Sequence, residues 1–238
     1  SNSGIEAIFI LELGKVNQEL GNIEAAGEFY KQAINKMEYS YGKNDIRTAL
    51  AYSEYAGYFT FKKLPVQECF WSIKAFDILE RTKVTNPNYA CPILVQHATA
   101  TKELYSPVPD SFPHYYPLIR RYYFRSLQLA RHYFHKPSFD EGKALQGLAN
   151  TYTDCIKTYF SIKKRDAERN WNIADSLYKE AIRVKIEALG KYNSTVATSK
   201  YTHALIYWYH PSLEKQIESL SKFNEAMAVL DSSFYPSG

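Results

Sequence analysis

Glycine and proline are scarce in this chain, with ten of each among 238 residues. That level excludes collagen-like, linker-like and low-complexity classes. Cysteine is scarcer. Cys69, Cys91 and Cys155 are the only three, and none forms a Cys-x-x-Cys pair. A sparse, odd count excludes a disulfide scaffold and fits a reducing compartment, so the three read as small buried hydrophobes. The expected location is cytoplasmic, with a cytoskeletal or organellar assembly also open. No apolar run approaches the roughly 18–20 residues of a membrane span. The longest, Ala204 to Tyr209, is about a turn and a half of helix, so no membrane insertion is expected. No signal peptide is visible, and Ser1-Asn-Ser-Gly reads as a tag remnant or a trimmed edge. The formal net charge is only +4, too weak to imply nucleic acid.

Catalytic signatures are missing too. There is no Gly-rich phosphate loop, no Gly-x-Ser-x-Gly elbow, no Cys/His nucleophile arrangement and no paired-carboxylate pattern. The residues give no support to an enzyme, and no cofactor or metal is expected. No segment alternates with period two over strand length, which leaves no sheet.

What the chain does have is apolar content (45 %), 21 tyrosines and an internal repeat. Sliding the sequence by 148 residues aligns 29–49 (FYKQAINKMEYSYGKNDIRTA) with 177–197 (LYKEAIRVKIEALGKYNSTVA) without a gap. Tyr30/Tyr178, Lys31/Lys179, Ala33/Ala181, Ile34/Ile182, Gly42/Gly190, Lys43/Lys191 and Ala49/Ala197 are identical. The unit is a helix, a glycine, a short polar turn and a new helix. Ala26, Tyr30 and Ala33 fall on one helical face, as do Ala174, Tyr178 and Ala181. The alanines let two helices approach and the tyrosine fills the space between them. Gly42 and Gly190 are expected as left-handed caps. Asp45, Asn193 and Asn22 are expected to cap the following helices.

Ten helices follow, near 4–20, 22–40, 45–62, 65–82, 88–105, 114–135, 138–164, 166–189, 193–209 and 212–230. Short connections favour antiparallel pairs, and repeats favour stacking over a closed bundle. The simplest organisation is one domain, 1–238, of about five helix pairs. Two features interrupt it. The three prolines of Ser106-Pro-Val-Pro-Asp-Ser-Phe-Pro-His114 forbid helix and predict an extended insert over 106–114. The 25 residues between Ala149 and Ala174 are about twice the usual spacing between first-helix and second-helix contacts. That predicts an extended helical hairpin over 150–173, either an idiosyncratic insertion or a docking spur.

These residues resemble the tetratricopeptide repeat, in which Leu-Gly in a first helix precedes Ala-x-x-x-(Phe/Tyr)-x-x-Ala in a second. Leu13-Gly14 pairs with Ala26/Tyr30/Ala33, and Leu148-Ala149 with Ala174/Tyr178/Ala181. Ala56 leads to Ala75, Ala204 to Phe223 and Ala226, and Ala98 to Leu127 and Ala130. The long second helix followed by Gly-Lys-x-(Asp/Asn) is similar to the kinesin-light-chain class, over nearly the whole chain. The resemblance implies an all-α, right-handed superhelical solenoid of about five such helix pairs, acting as a non-catalytic adaptor. It also implies motor-cargo attachment or substrate recruitment to a cullin-type ubiquitin ligase. A structural subunit of a large assembly is the other reading. Where the class has Leu-Asn-Asn-Leu-Ala, this chain has Tyr52-Ser-Glu-Tyr-Ala56 and Lys200-Tyr-Thr-His-Ala204, so the class's asparagine contacts to a ligand backbone are not expected.

Such a solenoid offers a concave groove lined by first helices, suited to a peptide or partner segment. Counted from each first-helix alanine, the groove-facing residues are Lys15, Gln18, Glu54, Gln96, Lys102, Gln146, Asn150, Asp154, Thr202 and Trp208. Glu54 and Asp154 would receive a cation, and Lys15 and Lys102 an acid. Arg120, Arg121, Arg125 and Arg131, interleaved with aromatics, form a basic surface. It reads as a solvated face or a surface for an acidic protein rather than for nucleic acid. His132 and His135 near Asp140 and Glu141 carry only a weak metal pattern. His97 and His203 fall at helix contacts and read as satisfied core histidines.

Overall fold

The computed structural model describes residues 2–105, 112–159 and 164–234. It is helical throughout, and no strand occurs among the described residues. The helices are α1 (Asn2–Glu19), α2 (Ile23–Tyr41), α3 (Ile46–Phe61), α4 (Pro65–Thr82), α5 (Pro87–Tyr105), α6 (Phe112–Tyr133), α7 (Phe139–Tyr159), α8 (Lys164–Leu189), α9 (Ser194–Trp208) and α10 (Leu213–Phe234). They divide into two compact units, 1–129 and 130–238, with the boundary inside α6.

In the first unit α1 packs on α2 and α3 on α4, while α2 packs on α3 and α4 on α5. The first helices also meet one another, α1 with α3 and α3 with α5. The cause is the small-large-small face of α2. Ala26 and Ala33 are fully buried and Tyr30 lies between them, 1 % exposed. A Cβ on Gly14 of α1 would stand 3.0 Å from the Tyr30 ring, so glycine there sets how closely the two helices approach. The Tyr30 hydroxyl donates to Gln18 Oε1 at 3.1 Å. Tyr55 of α3 is the aromatic hub, with ring centroids 6.1 Å from Tyr30, 5.5 Å from Tyr58, 4.8 Å from Phe59 and 5.1 Å from Trp71. Such contacts add about 0.5–1.5 kcal/mol each beyond area burial, which explains how a tyrosine-rich chain builds a core.

The second unit repeats the scheme, with α7 on α8, α8 on α9 and α9 on α10. Ala174, Tyr178 and Ala181 are buried on α8, and the Tyr178 hydroxyl donates to Asn150 Oδ1 at 2.5 Å. Trp171 is buried as well, its indole donating to the Ile206 carbonyl at 3.1 Å.

Several local expectations need correction. Gly42 ends α2 at φ 89° and ψ 157°. That is the extended mirror-image region open to glycine, not the left-handed helical cap expected for it. Asp45 and Asn193 do cap α3 and α9, accepting from Arg47 N at 2.9 Å and Thr195 N at 2.8 Å. Asn22 stands before α2 without capping it. Its amide donates to Asn17 Oδ1 at 3.3 Å, so the side chain is turned back onto α1. Helix α6 starts at Phe112, inside the expected proline-rich insert of 106–114. Pro113 sits in its first turn, where a missing N–H is tolerated. Residues 106–111 lie outside the described residues, as do 160–163 within the expected hairpin of 150–173. Helices α7 and α8, which carry that hairpin, have 21 and 26 residues. Cys69 and Cys91 are buried thiols, while the side chain of Cys155 lies outside the description.

Candidate partner-binding faces

Three first helices, α1, α3 and α5, carry the expected contact residues of the first unit. Lys15 on α1 reaches Glu54 on α3 at 3.8 Å and Glu12 of its own helix at 3.1 Å. Both Lys15 and Glu54 remain partly exposed, so two opposite charges are offered side by side across adjacent first helices. Gln96 of α5 lies beside Gly57 of α3, where a Cβ would meet its Oε1 at 3.4 Å. Its amide is turned to α4 and donates to Glu68 Oε1 at 2.9 Å. Lys102 pairs with Glu103 at 3.0 Å.

Glu68 escaped the sequence reading. It is 1 % exposed in the first turn of α4. Burial pushes its carboxyl up to about 7, against the hydrogen bond from Gln96 and the nearby Lys102 charge. Its only sequence signal was an acid one position before a buried cysteine. His97 is buried, stacked on Phe76 at 4.2 Å, and burial pulls its imidazole down to about 4. Ser72 Oγ sits 3.3 Å from His97 Nδ1.

In the second unit, Gln146 is drawn into a buried polar knot. Its Oε1 accepts from Lys185 Nζ and, at 2.8 Å, from Ser199 Oγ. Lys185 is 2 % exposed and also donates to Ser199 Oγ at 2.8 Å. Burial, then the neighbouring Lys143 charge, lowers its ammonium to about 8. Asn150 holds the Tyr178 hydroxyl, and Asp154 follows one turn later on α7, half-buried. Thr202 turns its hydroxyl onto the Thr198 carbonyl of its own helix at 2.9 Å. Trp208, at the end of α9, is 49 % exposed. The structure thus brings Lys15 to Glu54 and places Asn150 one turn from Asp154, while it ties Gln18, Gln96, Gln146 and Asn150 into packing contacts.

The same unit holds a second network. Asp175 accepts from His203 Nε2 at 2.8 Å, Tyr207 OH at 2.7 Å and Lys179 Nζ at 2.6 Å. Burial alone would raise the Asp175 carboxyl, but these three donors hold it well below the usual range. Burial and the bond to Asp175 push the Tyr207 phenol up. No sequence pattern linked Asp175 to His203, because they sit on different helices, 28 residues apart.

The four arginines of the basic stretch have different surroundings. Arg120 lies over the Tyr116 ring at 5.6 Å. Arg121 is exposed. Arg125 pairs with Glu80 of α4. Arg131 bridges Glu141 at 2.8 Å and Glu180, which raises its guanidinium further despite partial burial. Arg125 and Arg131 thus meet carboxylates within their own units. Among the described residues no three His, Cys, Asp or Glu groups are placed to hold a metal ion, and no helix is long and apolar enough to cross a membrane.

No protein-family model matches the chain, and no curated protein matches it by sequence. Solved structures do match. A protein of Podosopora anserina described as a kinesin light chain of nearly identical TPR-like repeats superposes with TM-score 0.57 at 11 % identity, over 98 % of this chain and 99 % of that one. BtubC (BKLC) from P. vanneervenii matches with TM-score 0.54 at 15 % identity, over 97 % of this chain and 79 % of that one. A Rap protein, in complex with competence and sporulation factor, matches with TM-score 0.64 at 16 % identity, over 97 % of this chain and 56 % of that one. With its alternating first and second helices and its Ala-Tyr-Ala faces, the chain has the fold of TPR-like helical-repeat proteins, kinesin-light-chain repeats among them.

Proposed function

We propose that this protein is a non-catalytic interaction module that holds a segment of a protein partner on its first helices. The observation that carries the reading is the part-exposed Lys15–Glu54 pair joining α1 and α3. It presents a cation and an anion at one spot on neighbouring first helices, which suits a partner segment with a charged anchor. Glu54 and Asp154 are the acceptors for a basic anchor, Lys15 and Lys102 the donors for an acidic one. Thr202 and Trp208 extend the same class of surface, Gln96, Gln146 and Asn150 contribute to it only through the packing contacts described above, and Arg120, Arg121, Arg125 and Arg131 give an accessory basic face. The neighbours support the reading by analogy: the Rap protein carries a bound factor, and the Podosopora anserina protein is described as a kinesin light chain. Motor-cargo attachment and recruitment of substrates to a ubiquitin ligase are the finer roles this activity would serve, in the cytoplasm and within a larger complex.

The test is affinity capture with the purified chain beside Glu54→Lys plus Asp154→Lys. Loss of specific partners by a variant of unchanged thermal midpoint supports the reading, because part-exposed charges contribute little to stability. Unchanged capture removes these acids from the site.

A second reading, a structural subunit, draws on a different feature. Ile5, Phe9, Leu13 and Val16 of α1, with Leu20 just beyond its end, form one exposed apolar stripe, and Leu213, Ile217, Leu220 and Met227 form another on α10. Stripes of this kind mark surfaces that a neighbour covers. Concentration-dependent self-association or a fixed stoichiometric complex, indifferent to the Glu54 and Asp154 changes, favours that reading.

A further inference from the structure

Helix α1 exposes the face that later first helices bury. Gly14, Ala56 and Ala98 hold one packed position on α1, α3 and α5, evenly spaced 42 residues apart. On that register Phe9 corresponds to Ala51 and Ile93, Leu13 to Tyr55 and His97, and Val16 to Tyr58 and Ala100. On α3 and α5 these positions are buried, or half-buried at Tyr58, and the preceding second helix lies against them. Tyr55 and Tyr58 meet the Tyr30 ring of α2 at 6.1 and 6.2 Å between centroids. His97 stacks on Phe76 of α4. On α1, Phe9 is 68 % exposed, and Leu13 and Val16 are about half exposed. No described helix precedes α1.

Helix α10 shows the converse face. The 148-residue offset carries α4 onto α10. On α4, which packs on α5, Cys69, Ser72 and Leu79 are buried, and Ser72 Oγ sits 3.3 Å from His97 Nδ1. The corresponding Ile217, Leu220 and Met227 of α10 are each more than half exposed, and no described helix follows. End helices of a stacked array need a polar outer face to stay soluble alone. Here both are apolar. The polar register matches as well. Gln96 of α5 donates to Glu68 of α4 at 2.9 Å. The same two positions on α1 and α10 are Glu12 and Gln216, so the residue types are exchanged and the bond is possible with donor and acceptor reversed. Glu12 is exposed. Gln216 gives one amide hydrogen to the His210 carbonyl and has a second to offer.

We propose that α10 of one molecule packs on α1 of a second copy of the chain, as α4 packs on α5 within the first unit. The chain carries both halves of the contact: a first-helix face without its second helix, and a second-helix face without its first helix. Leu220 then stands against Leu13 of the other copy where Ser72 stands against His97, and Gln216 against Glu12 where Glu68 stands against Gln96. The contact is heterologous, so α1 of one copy and α10 of the other stay open and further copies can add. This names the cover of the two apolar stripes and so rests on the structural-subunit reading. It leaves Glu54 and Asp154 untouched.

The test is sedimentation velocity of the whole chain over a range of concentrations, beside Phe9→Glu and Leu220→Glu. Both residues are exposed, so each charge blocks one face and leaves the fold intact, with thermal melting as the check. The expected result is a mass that rises with concentration past that of a dimer, with self-association about tenfold weaker or more in either variant alone. An equal mixture of the two variants is expected to pair into a dimer and grow no further. The intact α10 of one meets the intact α1 of the other, and both remaining faces carry a charge. A native chain that stays monomeric or stops at a dimer overturns the proposal. So does association that survives either change, or a mixture of variants that does not pair. Affinity capture separates this failure from failure of the reading beneath it. With a monomeric native chain, loss of a stoichiometric partner in either variant keeps the structural-subunit reading and puts a foreign helix on the stripe. Capture indifferent to both changes removes that reading too.

Discussion

A Cβ built on Gly142 would lie 2.5 Å from Cγ of Lys185. The two residues face each other across α7 and α8, and the missing side chain of one makes room for the buried stem of the other. The lysine cannot swing aside cheaply, because its ammonium is tied to Gln146 and Ser199. Gly142→Ala would gain up to about 1 kcal/mol of helix propensity. Overpacking against a fixed stem typically costs about 1–3 kcal/mol. The clash wins, and chemical denaturation is expected to show net loss of about 1–2 kcal/mol. The same change on a Lys185→Ala background should lose the penalty. Equal losses on both backgrounds would mean that the lysine stem is not what the glycine accommodates.

Lys185 itself makes stability depend on pH in the alkaline range. Its folded value, about 8, lies below the ordinary lysine value of 10.5. Between those limits the unfolded chain holds a proton that the folded chain has released, so stability rises as pH increases from 8 to 10.5. The change is on the order of 3 kcal/mol. Lys185→Met is expected to be more stable than the native chain at pH 7, with an advantage that shrinks toward pH 10.5. A gap between the two that does not change with pH would show the lysine to be solvated in the folded state.

Glu68 gives the opposite slope at lower pH. Its folded value of about 7 lies above the ordinary 4.5. The folded chain holds the extra proton, so this stabilisation is complete below about pH 4.5 and is lost as pH rises through 7. Glu68→Gln keeps an acceptor for Gln96 and removes the titration. It is expected to match the native chain near pH 4.5 and to exceed it by about 2–3 kcal/mol above pH 7. Melting curves of the pair from pH 4.5 to 8 test this, and parallel pH profiles would count against a buried, neutral Glu68.

How much of this was legible follows from the range over which each signal acts. The ten helices came from periodicity, and the Ala-Tyr-Ala faces of Ala26/Tyr30/Ala33 and Ala174/Tyr178/Ala181 came from spacing within one helix. Both are local. The site residues were counted by register alone, which states a face but not what a side chain meets. Gln96 turned to Glu68 and Gln146 turned to Lys185 because buried acids and lysines on second helices needed partners. That demand comes from another helix and leaves no trace in the register. Asp175 and His203 were invisible for the same reason.

The caps separate what a side chain can do from what it does. Asp45 and Asn193 each satisfy a backbone N–H in the first turn of the following helix, whereas Asn22 does not. Removing a working cap typically costs about 1 kcal/mol. Asn193→Ala is therefore expected to lose about that amount in urea denaturation. Asp45→Ala should lose somewhat more, because the same carboxylate also accepts from the Arg47 guanidinium at 2.7 and 2.8 Å. Asn22→Ala should lose only a few tenths of a kcal/mol, since it gives up one exposed amide contact to Asn17. All three are good capping residue types standing immediately before a helix, so propensity alone ranks them equal. A loss at Asn22 as large as at Asn193 would mean that it caps α2 in solution and that its turn toward Asn17 is not the resting arrangement.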